Sequence, residues 1–148
     1  HLKKVDGYIQ KGIDEGASIL HGGVSEGNQK GFFAKPTLFD NVKENMTIAQ
    51  EEIFGPVLAV LEYEDTEEAI DIANGTEFGL AGGVFTKNID QATITAGKLD
   101  AGQVYVNSWF TGSVATPFGG YKKSGYSREK GQEAIKGYLQ VKNVGIQL

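Results

Sequence analysis

Two carboxylates and an aromatic ring stand directly ahead of an apolar run, in the stretch Gln50-Glu51-Glu52-Ile53-Phe54-Gly55-Pro56-Val57. Proline has no backbone N–H and disfavours helix at the preceding residue, so Pro56 predicts a loop that opens into a buried strand over residues 57–61. Glu52 and Phe54 are therefore predicted to be loop residues held at a strand end. The alternative is that both glutamates are solvated charges and that Phe54 plugs the core.

A second stretch with potential for chemistry is the long loop predicted over residues 107–127. It follows a predicted strand at residues 103–106 and contains Trp109, Phe110 and Phe118. Large aromatic side chains gain much by burial, which argues for an ordered loop, and ligands of parallel sheets bind beyond the carboxyl ends of the strands. We therefore expect this loop to line a pocket. Trp109 could equally be a core residue.

Apolar runs and helical patterns alternate in the elements between these stretches. Helices are predicted at residues 66–74 and 88–99, between apolar runs at residues 57–61, 80–85 and 103–106. This order predicts an α/β fold with a mostly parallel open sheet, helices on both faces and right-handed crossovers. Local residue types predict the ends of these helices. The first is predicted to begin at Thr66, with Glu67 and Glu68 in its first turn, and to end at Asn74-Gly75, and the second is predicted to be capped by Asn88.

The amino-terminal part begins with a helical pattern, since Leu2, Val5, Ile9 and Ile13 are spaced to share one face. This helix is predicted to end near Gly16. The segments that follow it are predicted in order as a strand at residues 17–20, a surface loop at 21–31 and an edge or irregular strand at 32–39 that contains Pro36. Because the chain begins without Met and inside a helical pattern, we expect it to be part of a longer polypeptide.

The carboxyl-terminal part is predicted to form a short helix from Arg128 to about Ile135, followed by an extended segment over residues 138–148. Apolar side chains alternate in residues 139–148, with a change of phase near Asn143 that predicts a bend or bulge. An apolar strand with an unpaired edge invites pairing with another chain.

The composition excludes several classes of function. The 148 residues suffice for one domain, and 19 acidic against 14 basic residues without a basic cluster argue against nucleic-acid or membrane partners. No signal peptide or membrane span is apparent, so we expect a cytoplasmic protein. The absence of cysteine excludes disulfides and a cysteine nucleophile within this chain. His1 and His21 are predicted to be structural surface residues, and no transition-metal site is predicted.

The opening motif resembles the Glu-Glu-Ile-Phe-Gly-Pro motif of the aldehyde dehydrogenase superfamily. A second family motif follows at Pro117-Phe118-Gly119-Gly120-Tyr121-Lys122-Lys123-Ser124-Gly125. The resemblance covers essentially the whole chain and implies the carboxyl-terminal third of a family member. It implies that residues 1–138 belong to the catalytic domain and that residues 139–148 form a strand shared between subunits of a homodimer or homotetramer.

In that family a cysteine thiolate attacks an aldehyde, NAD(P)+ accepts a hydride, and water activated by a glutamate hydrolyses the thioester. The nucleophile, the base and the dinucleotide-binding domain lie upstream of the region that this chain resembles. The resemblance therefore implies an enzyme that uses NAD or NADP in its full-length form, and an inactive 148-residue chain. The alternative is a stand-alone remnant that acts as a non-catalytic assembly or binding module.

The resemblance also implies residue roles in cofactor and aldehyde binding. Glu52 matches the glutamate that accepts hydrogen bonds from the nicotinamide ribose hydroxyls, and Phe54 matches the aromatic residue beside the nicotinamide. Phe118 matches an aromatic residue of the aldehyde tunnel, and three further positions shape that tunnel: Phe110, Thr111 and Gly112. These residues carry no fixed charge, which favours an uncharged aldehyde.

Roles implied near the second motif are less direct. Glu129 matches a glutamate assigned to a proton relay, with a structural ion pair to Arg128 as the alternative. The backbone of Lys122 and Gly125 matches a monovalent-cation site. Ser127 replaces a glycine usual in the family and would be strained if that position requires a positive φ. Asn107 matches an asparagine that ties the loop down, or it is a satisfied turn residue.

Overall fold

The structure is a computed structural model that describes residues 1–25 and 30–148. Contacts divide the chain into two units, residues 1–76 and 77–148, and each is described by itself. Both units combine helices with strands, so the predicted α/β class is confirmed. Residues 26–29 of the predicted surface loop lie outside the described residues. No helix in the described part of the chain is long and apolar enough to cross a membrane.

The first unit packs helices against a small mixed sheet. Strand β1 pairs antiparallel with β2, and β2 pairs parallel with β3. The helices and strands of this unit are, in chain order, α1 (Leu2–Asp14), β1 (Ser18–His21), β2 (Thr37–Asp40), α2 (Thr47–Gln50), β3 (Val57–Ala59) and α3 (Thr66–Asn74).

Strand β2 is the middle strand of this sheet, so of the two alternatives predicted for residues 32–39 the edge strand is wrong, whereas residues 32–36 are irregular. The strand begins at Thr37, one residue after Pro36. The missing N–H of proline is therefore outside the ladder, and the N–H of Thr37 donates to the carbonyl of Pro56 at 2.8 Å.

The hydrophobic core of the first unit is built from α1, β2 and the segment around α2. The buried side of α1 contains Val5, Ile9 and Gly12, and Ile9 is completely buried together with Phe39 of β2. A Cβ on Gly12 would lie 2.9 Å from the Ile48 side chain, so this position admits only glycine without repacking. In β3, by contrast, Leu58 is 62% exposed, and the prediction of a buried strand there is wrong for this side chain.

The second unit contains two separate two-stranded sheets. Strand β5 pairs parallel with β6 in register from Ala81 opposite Gln103, and β4 pairs antiparallel with β7. The helices and strands of this unit are β4 (Phe78–Gly79), β5 (Ala81–Val84), α4 (Ile89–Lys98), β6 (Gln103–Val106), β7 (Tyr121–Lys122) and α5 (Glu133–Lys136).

The predicted single open sheet is therefore only partly observed. Two neighbouring pairs are parallel as expected, β2 with β3 and β5 with β6, and the helices α3 and α4 lie where the sequence predicts them. The described strands nevertheless belong to three sheets, and two of the four strand pairs are antiparallel.

The helix caps show how local residue types define α3 and α4. Asn88 accepts hydrogen bonds from the N–H groups of Asp90 and Gln91, which confirms it as the cap of α4. Helix α3 is capped by Asp65, whose carboxylate accepts from Glu68 N–H at 2.9 Å, so the prediction of Thr66 at this position is wrong by one residue. The Glu68 carboxylate in turn accepts from the N–H of Glu64 at 2.6 Å, which resembles a capping box.

The carboxyl-terminal helix is shorter than predicted. Helix α5 contains only Glu133–Lys136, because Glu129 pairs with Phe118 in a β-bridge and Lys130 has a left-handed backbone. Neither conformation continues a helix. The tail at residues 139–148 contains no regular secondary structure, and Val141 and Leu148 are fully exposed.

Glu15, the residue that caps the end of α1, also binds the start of α2. Its carboxylate accepts hydrogen bonds from both the hydroxyl and the N–H of Thr47, the latter at 2.7 Å. These bonds stabilise the charged form and lower the pKa of Glu15 below its ordinary value. Because the folded pKa lies below the unfolded one, this contribution to stability exists above the ordinary Glu range and is lost as the pH falls through the folded pKa.

Substitution Glu15→Gln should therefore reduce the free energy of unfolding at neutral pH, with a difference that shrinks on acidification. Chemical denaturation of both forms across this pH range measures the effect. Glu62→Gln is the matched control, because Glu62 is exposed and accepts no hydrogen bond from a described residue, so this substitution should change the free energy of unfolding less than Glu15→Gln does at neutral pH. A Glu15→Gln effect that is the same at acidic and neutral pH would contradict this account.

Candidate functional site

The turn before β3 presents Glu52 and Phe54 to solvent on either side of a buried anchor. Ile53 is buried in the core of the first unit, whereas Glu52 is exposed and the Phe54 side chain is 74% exposed. Both residues lie in the loop ahead of the strand, as predicted. The alternative that Phe54 plugs the core is excluded by this exposure.

Phe54 has an unusual backbone conformation for a bulky residue. Its φ of 55° is in the left-handed region, which costs on the order of 1–3 kcal/mol at a residue other than glycine. The neighbouring residue Gly55 lies so close to α1 that a Cβ would stand 2.7 Å from the side chain of Val5. The carbonyl of Gly55 also accepts a hydrogen bond from Val57 N–H at 2.8 Å. The close approach and the turn together hold the strained conformation.

His1 makes a further contact with the same turn. Its Nε2 lies 2.6 Å from the carbonyl oxygen of Phe54, and the two rings meet edge to face with centroids 6.3 Å apart. Because a carbonyl oxygen only accepts, Nε2 is the donor in this hydrogen bond. The contact gives His1, an exposed residue as predicted, a structural role at the turn.

Glu51 and Glu52 differ sharply in their hydrogen bonding. The Glu51 carboxylate accepts from the Tyr8 hydroxyl at 2.8 Å, and this bond is the main cause of the raised pKa of Tyr8. The Glu52 carboxylate makes no hydrogen bond or ion pair with any described residue, so its acceptor oxygens are available to a ligand.

Tyr8 is a residue of the site that the sequence analysis missed. Two ammonium groups flank its ring, those of Lys4 at 5.7 Å and Lys11 at 5.5 Å from the centroid. The helical spacing of these three residues could have revealed a shared face of α1. No sequence pattern around Tyr8, however, indicates that it contacts Glu51.

An aromatic cluster forms at the start of the long loop of the second unit. The Tyr105 ring of β6 lies 5.5 Å from that of Trp109 and stacks on that of Phe110 at 5.9 Å. Phe110 continues the series to Phe118 at 6.1 Å. Two predicted tunnel residues are thus brought together, and Trp109 is 59% exposed, which excludes a core position for it.

Hydrogen bonds from one asparagine fix the start of this loop. The Asn107 side chain accepts from Thr86 N–H at 2.8 Å and donates to the Thr86 carbonyl at 2.9 Å, so the ends of β5 and β6 are tied together. This confirms Asn107 as a residue that ties the loop down. Thr111, also exposed, places its hydroxyl 3.1 Å from that of Ser108, and Gly112 lies in the exposed part of the loop.

Part of the loop lines a cavity, as expected of a loop this long. The residues that border this cavity of about 510 Å³ are Val114, Ala115, Pro117, Gly131, Gln132, Glu133 and Ile135. Phe110, Thr111, Gly112 and Phe118 do not border it. The aromatic cluster and this cavity are therefore separate features of the second unit.

Glu129 is held against the aromatic cluster by its backbone. Its N–H and carbonyl exchange hydrogen bonds with Phe118, both at 2.7 Å, and its side chain is exposed. Arg128 forms no ion pair with Glu129. Within residues 77–148, all of which are described, its guanidinium donates to the carbonyls of Gly120 at 2.8 Å and Ser127 at 2.9 Å. The alternative that Glu129 forms a structural ion pair with Arg128 is therefore excluded.

Ser127 does not have a positive φ, so the strain considered for this position is absent. Position 119, by contrast, requires glycine, because a Cβ on Gly119 would lie 2.2 Å from the carbonyl oxygen of Ser127.

The backbone around Lys122 and Gly125 forms a tight turn. Both residues have positive φ, 52° and 94°, and the carbonyl of Lys122 accepts from the N–H of Gly125 at 3.2 Å. The ammonium group of Lys122 lies 3.7 Å from the carboxylate of Asp100. Among the described residues, no group of three or more His, Cys, Asp or Glu side chains is arranged to hold a metal ion.

Comparison with known proteins identifies relatives along the whole chain. The model of the aldehyde dehydrogenase family matches residues 1–144. Aldehyde dehydrogenase 1 of Tanacetum cinerariifolium is 52% identical over 142 residues, which cover 96% of this chain and 28% of that protein. The putative aldehyde dehydrogenase DhaS of Bacillus subtilis is 49% identical over 146 residues, which cover 99% and 29%.

Solved structures give the same result. An indole-3-acetaldehyde dehydrogenase complexed with NAD+ has a TM-score of 0.92 at 44% identity and covers 99% of this chain, which spans 30% of that chain. A Mycobacterium tuberculosis aldehyde dehydrogenase complexed with NAD+ has a TM-score of 0.88 at 46% identity, with 94% and 29% covered. The chain thus spans less than a third of the length of these relatives. It belongs to the aldehyde dehydrogenase family and corresponds to the carboxyl-terminal part of the family's larger members.

Proposed function

We propose that this chain is part of an NAD(P)-dependent aldehyde dehydrogenase that oxidises an aldehyde to a carboxylate. In this proposal the chain holds the nicotinamide ribose and lines the path of the aldehyde. The observation that carries it is the presentation of Glu52 and Phe54 on either side of the buried Ile53, with Phe54 in a strained backbone conformation. Strain of this kind concentrates at functional sites.

The residues of the turn fit a nicotinamide ribose. The Glu52 carboxylate is exposed and has no partner among the described residues, so it can accept from two vicinal hydroxyls at once. The exposed ring of Phe54 offers a flat apolar face beside it. Two solved relatives are NAD+ complexes, which supports NAD, and NADP remains an alternative with the same ribose chemistry at this end of the molecule.

When bound, the cofactor supplies the hydride acceptor. In the proposed mechanism the chain contributes positioning: Glu52 orients the ribose, and Phe54 limits the movement of the ring toward solvent. Phe110, Thr111, Gly112 and Phe118 form apolar or uncharged walls that exclude water from the aldehyde path.

Two further roles near the second motif are proposed for this chain. The exposed carboxylate of Glu129, a residue whose backbone pairs with that of Phe118, is the candidate proton relay. The backbone turn of Lys122 and Gly125 is the candidate monovalent-cation site, although one lone pair of the Lys122 carbonyl already accepts a hydrogen bond. Cytoplasmic localisation is part of the same proposal.

The isolated 148-residue chain should form no NAD(P)H from aldehyde, because it contains no cysteine to supply the attacking thiolate. The longer protein that contains this chain should form NAD(P)H from NAD(P)+ in an aldehyde-dependent reaction. Absorbance of the reduced cofactor measures both. Inactivity of the longer protein with every aldehyde would favour the alternative of a non-catalytic assembly or binding module, and turnover by the isolated chain would overturn the proposed division of roles.

Substitution Glu52→Gln in the longer protein should slow hydride transfer about tenfold and weaken cofactor affinity less. A neutral amide still accepts one hydrogen bond but loses the charge-assisted pair, a difference on the order of 1–2 kcal/mol. Single-turnover kinetics and cofactor titration separate the two effects. Glu51→Gln is the matched control, since it removes the same charge one residue away and its amide oxygen can still accept from Tyr8. Equal effects of both substitutions would count against a specific role of Glu52.

We also propose that residues 139–148 pair with another copy of the chain, giving a homodimer or a homotetramer. Apolar side chains in this tail are exposed, and Ile146 is 80% accessible to solvent. Exposed apolar side chains at unpaired backbone favour association of this kind.

Removal of residues 139–148 should therefore lower the assembly state of the longer protein. Light scattering on the two forms measures it, with the double substitution Val141→Ser and Ile146→Ser as a variant that keeps the length of the chain. An unchanged assembly state in both variants would show that the tail has no part in association.

A further inference from the structure

Lys130 places a positive charge on the aromatic cluster. Its ammonium nitrogen lies 5.4 Å from the centroid of the Phe118 ring, within the range of a cation–π interaction. Phe118 is in turn 6.1 Å from Phe110, the next ring of the cluster. Arg128 of the same unit lies over the ring of Tyr121, which is not part of the cluster.

The backbone of Lys130 is fixed on both sides. The preceding residue, Glu129, exchanges two hydrogen bonds with Phe118, and the following residue, Gly131, donates to the carbonyl of Val114 at 2.9 Å. Lys130 itself has a φ of 59°, a conformation that only glycine adopts without cost. The hydrogen bonds of Glu129 and Gly131 therefore keep Lys130 in a backbone conformation in which glycine would be less strained.

The charge of Lys130 is not neutralised by a carboxylate. Three other lysines of this unit are paired with carboxylates, Lys122 with Asp100, Lys123 with Glu77 and Lys136 with Glu133. Lys130 forms no such pair with a described residue. Lys130 is exposed, and water screens its charge only in part, because the effective dielectric constant near a protein surface is lower than that of bulk water.

We propose that Lys130 is a specificity-determining residue that selects against aldehydes carrying a positive charge. This inference rests on the proposed function, since it assumes that the aldehyde passes the Phe118 side of the cluster. The ammonium group covers one face of Phe118 and repels a cationic substrate, whereas a neutral aldehyde of the same shape meets only the apolar rings. The substrate class is therefore a neutral aldehyde or one with an anionic group.

The test uses two aldehydes of equal shape and different charge, trimethylammonioacetaldehyde and tert-butylacetaldehyde. In the longer protein, kcat/KM should be at least about tenfold higher for the neutral aldehyde, since two like charges several ångströms apart repel by this order of magnitude near a protein surface. Lys130→Gly should reduce that ratio about tenfold while suiting the left-handed backbone, so this variant is expected to fold.

Two control variants separate the charge of Lys130 from other effects. Lys130→Arg keeps the charge and should keep the ratio of the two kcat/KM values. Lys136→Gln removes an equal charge from the same unit, at a residue that pairs with Glu133, and should leave the ratio unchanged.

The outcomes distinguish this inference from the proposed function. If the unsubstituted protein converts both aldehydes and Lys130→Gly leaves the ratio unchanged, or if Lys136→Gln shifts it equally, the role of Lys130 is wrong and the proposed function stands. A preference of the unsubstituted protein for the cationic aldehyde also overturns the role. If no aldehyde is oxidised, the proposed function fails first. Should Lys130→Gly not fold, as judged by circular dichroism, Lys130→Gln carries the same prediction.

Discussion

Burial of Ile53 is the constraint on which the turn before β3 depends. The side chain belongs to the same core as Val5 and Ile9 of α1 and Phe39 of β2. With this anchor in place, its neighbours Glu52 and Phe54 are left outside the core. The close approach of Gly55 to Val5 then leaves little freedom in the path of the backbone, because any side chain at position 55 would meet α1. Packing of the core thus determines the exposed positions of the Glu52 carboxylate and the Phe54 ring, although neither side chain belongs to the core.

Left-handed backbone at residues other than glycine recurs around the proposed chemistry. Among the described residues, this conformation is found at Asn41, Phe54, Asn107, Phe110, Lys122 and Lys130. An asparagine tolerates it well, but a phenylalanine or a lysine does not. The cost is offset by hydrogen bonds on adjacent residues, as at Glu129 and Gly131 on either side of Lys130. Such conformations are retained when the surrounding contacts over-determine them, which is the condition for a rigid binding surface.

The parts of the fold that the sequence predicts well are those with local signals. Helix α3 and strand β6 have the predicted bounds, because the acidic first turn and the terminal Asn-Gly pair of the helix and the short Val-Tyr-Val run of the strand are each visible within a few residues. The predictions are wrong where residues distant in sequence determine the local structure. The middle position of β2 depends on pairing with β3 about 20 residues away, and the helix predicted from Arg128 is prevented by the pairing of Glu129 with Phe118.

The same distinction applies to the residues of the candidate site. Glu52, Phe54 and Phe118 could be singled out from motifs, whereas Tyr8 and Lys130 could not, because each acts through a partner that is distant in sequence or through a backbone conformation.

The motif residues and the two residues outside the motifs also contribute differently to the candidate site. Motif residues offer chemical groups, an acceptor or an aromatic face, that a ligand can contact. Tyr8 and Lys130 alter the surroundings of those groups. Tyr8 donates a hydrogen bond to Glu51, whereas Glu52 accepts none from a described residue, and Lys130 adds a charge to an otherwise neutral aromatic surface. Selectivity within one family can therefore change at such positions while the motifs stay the same.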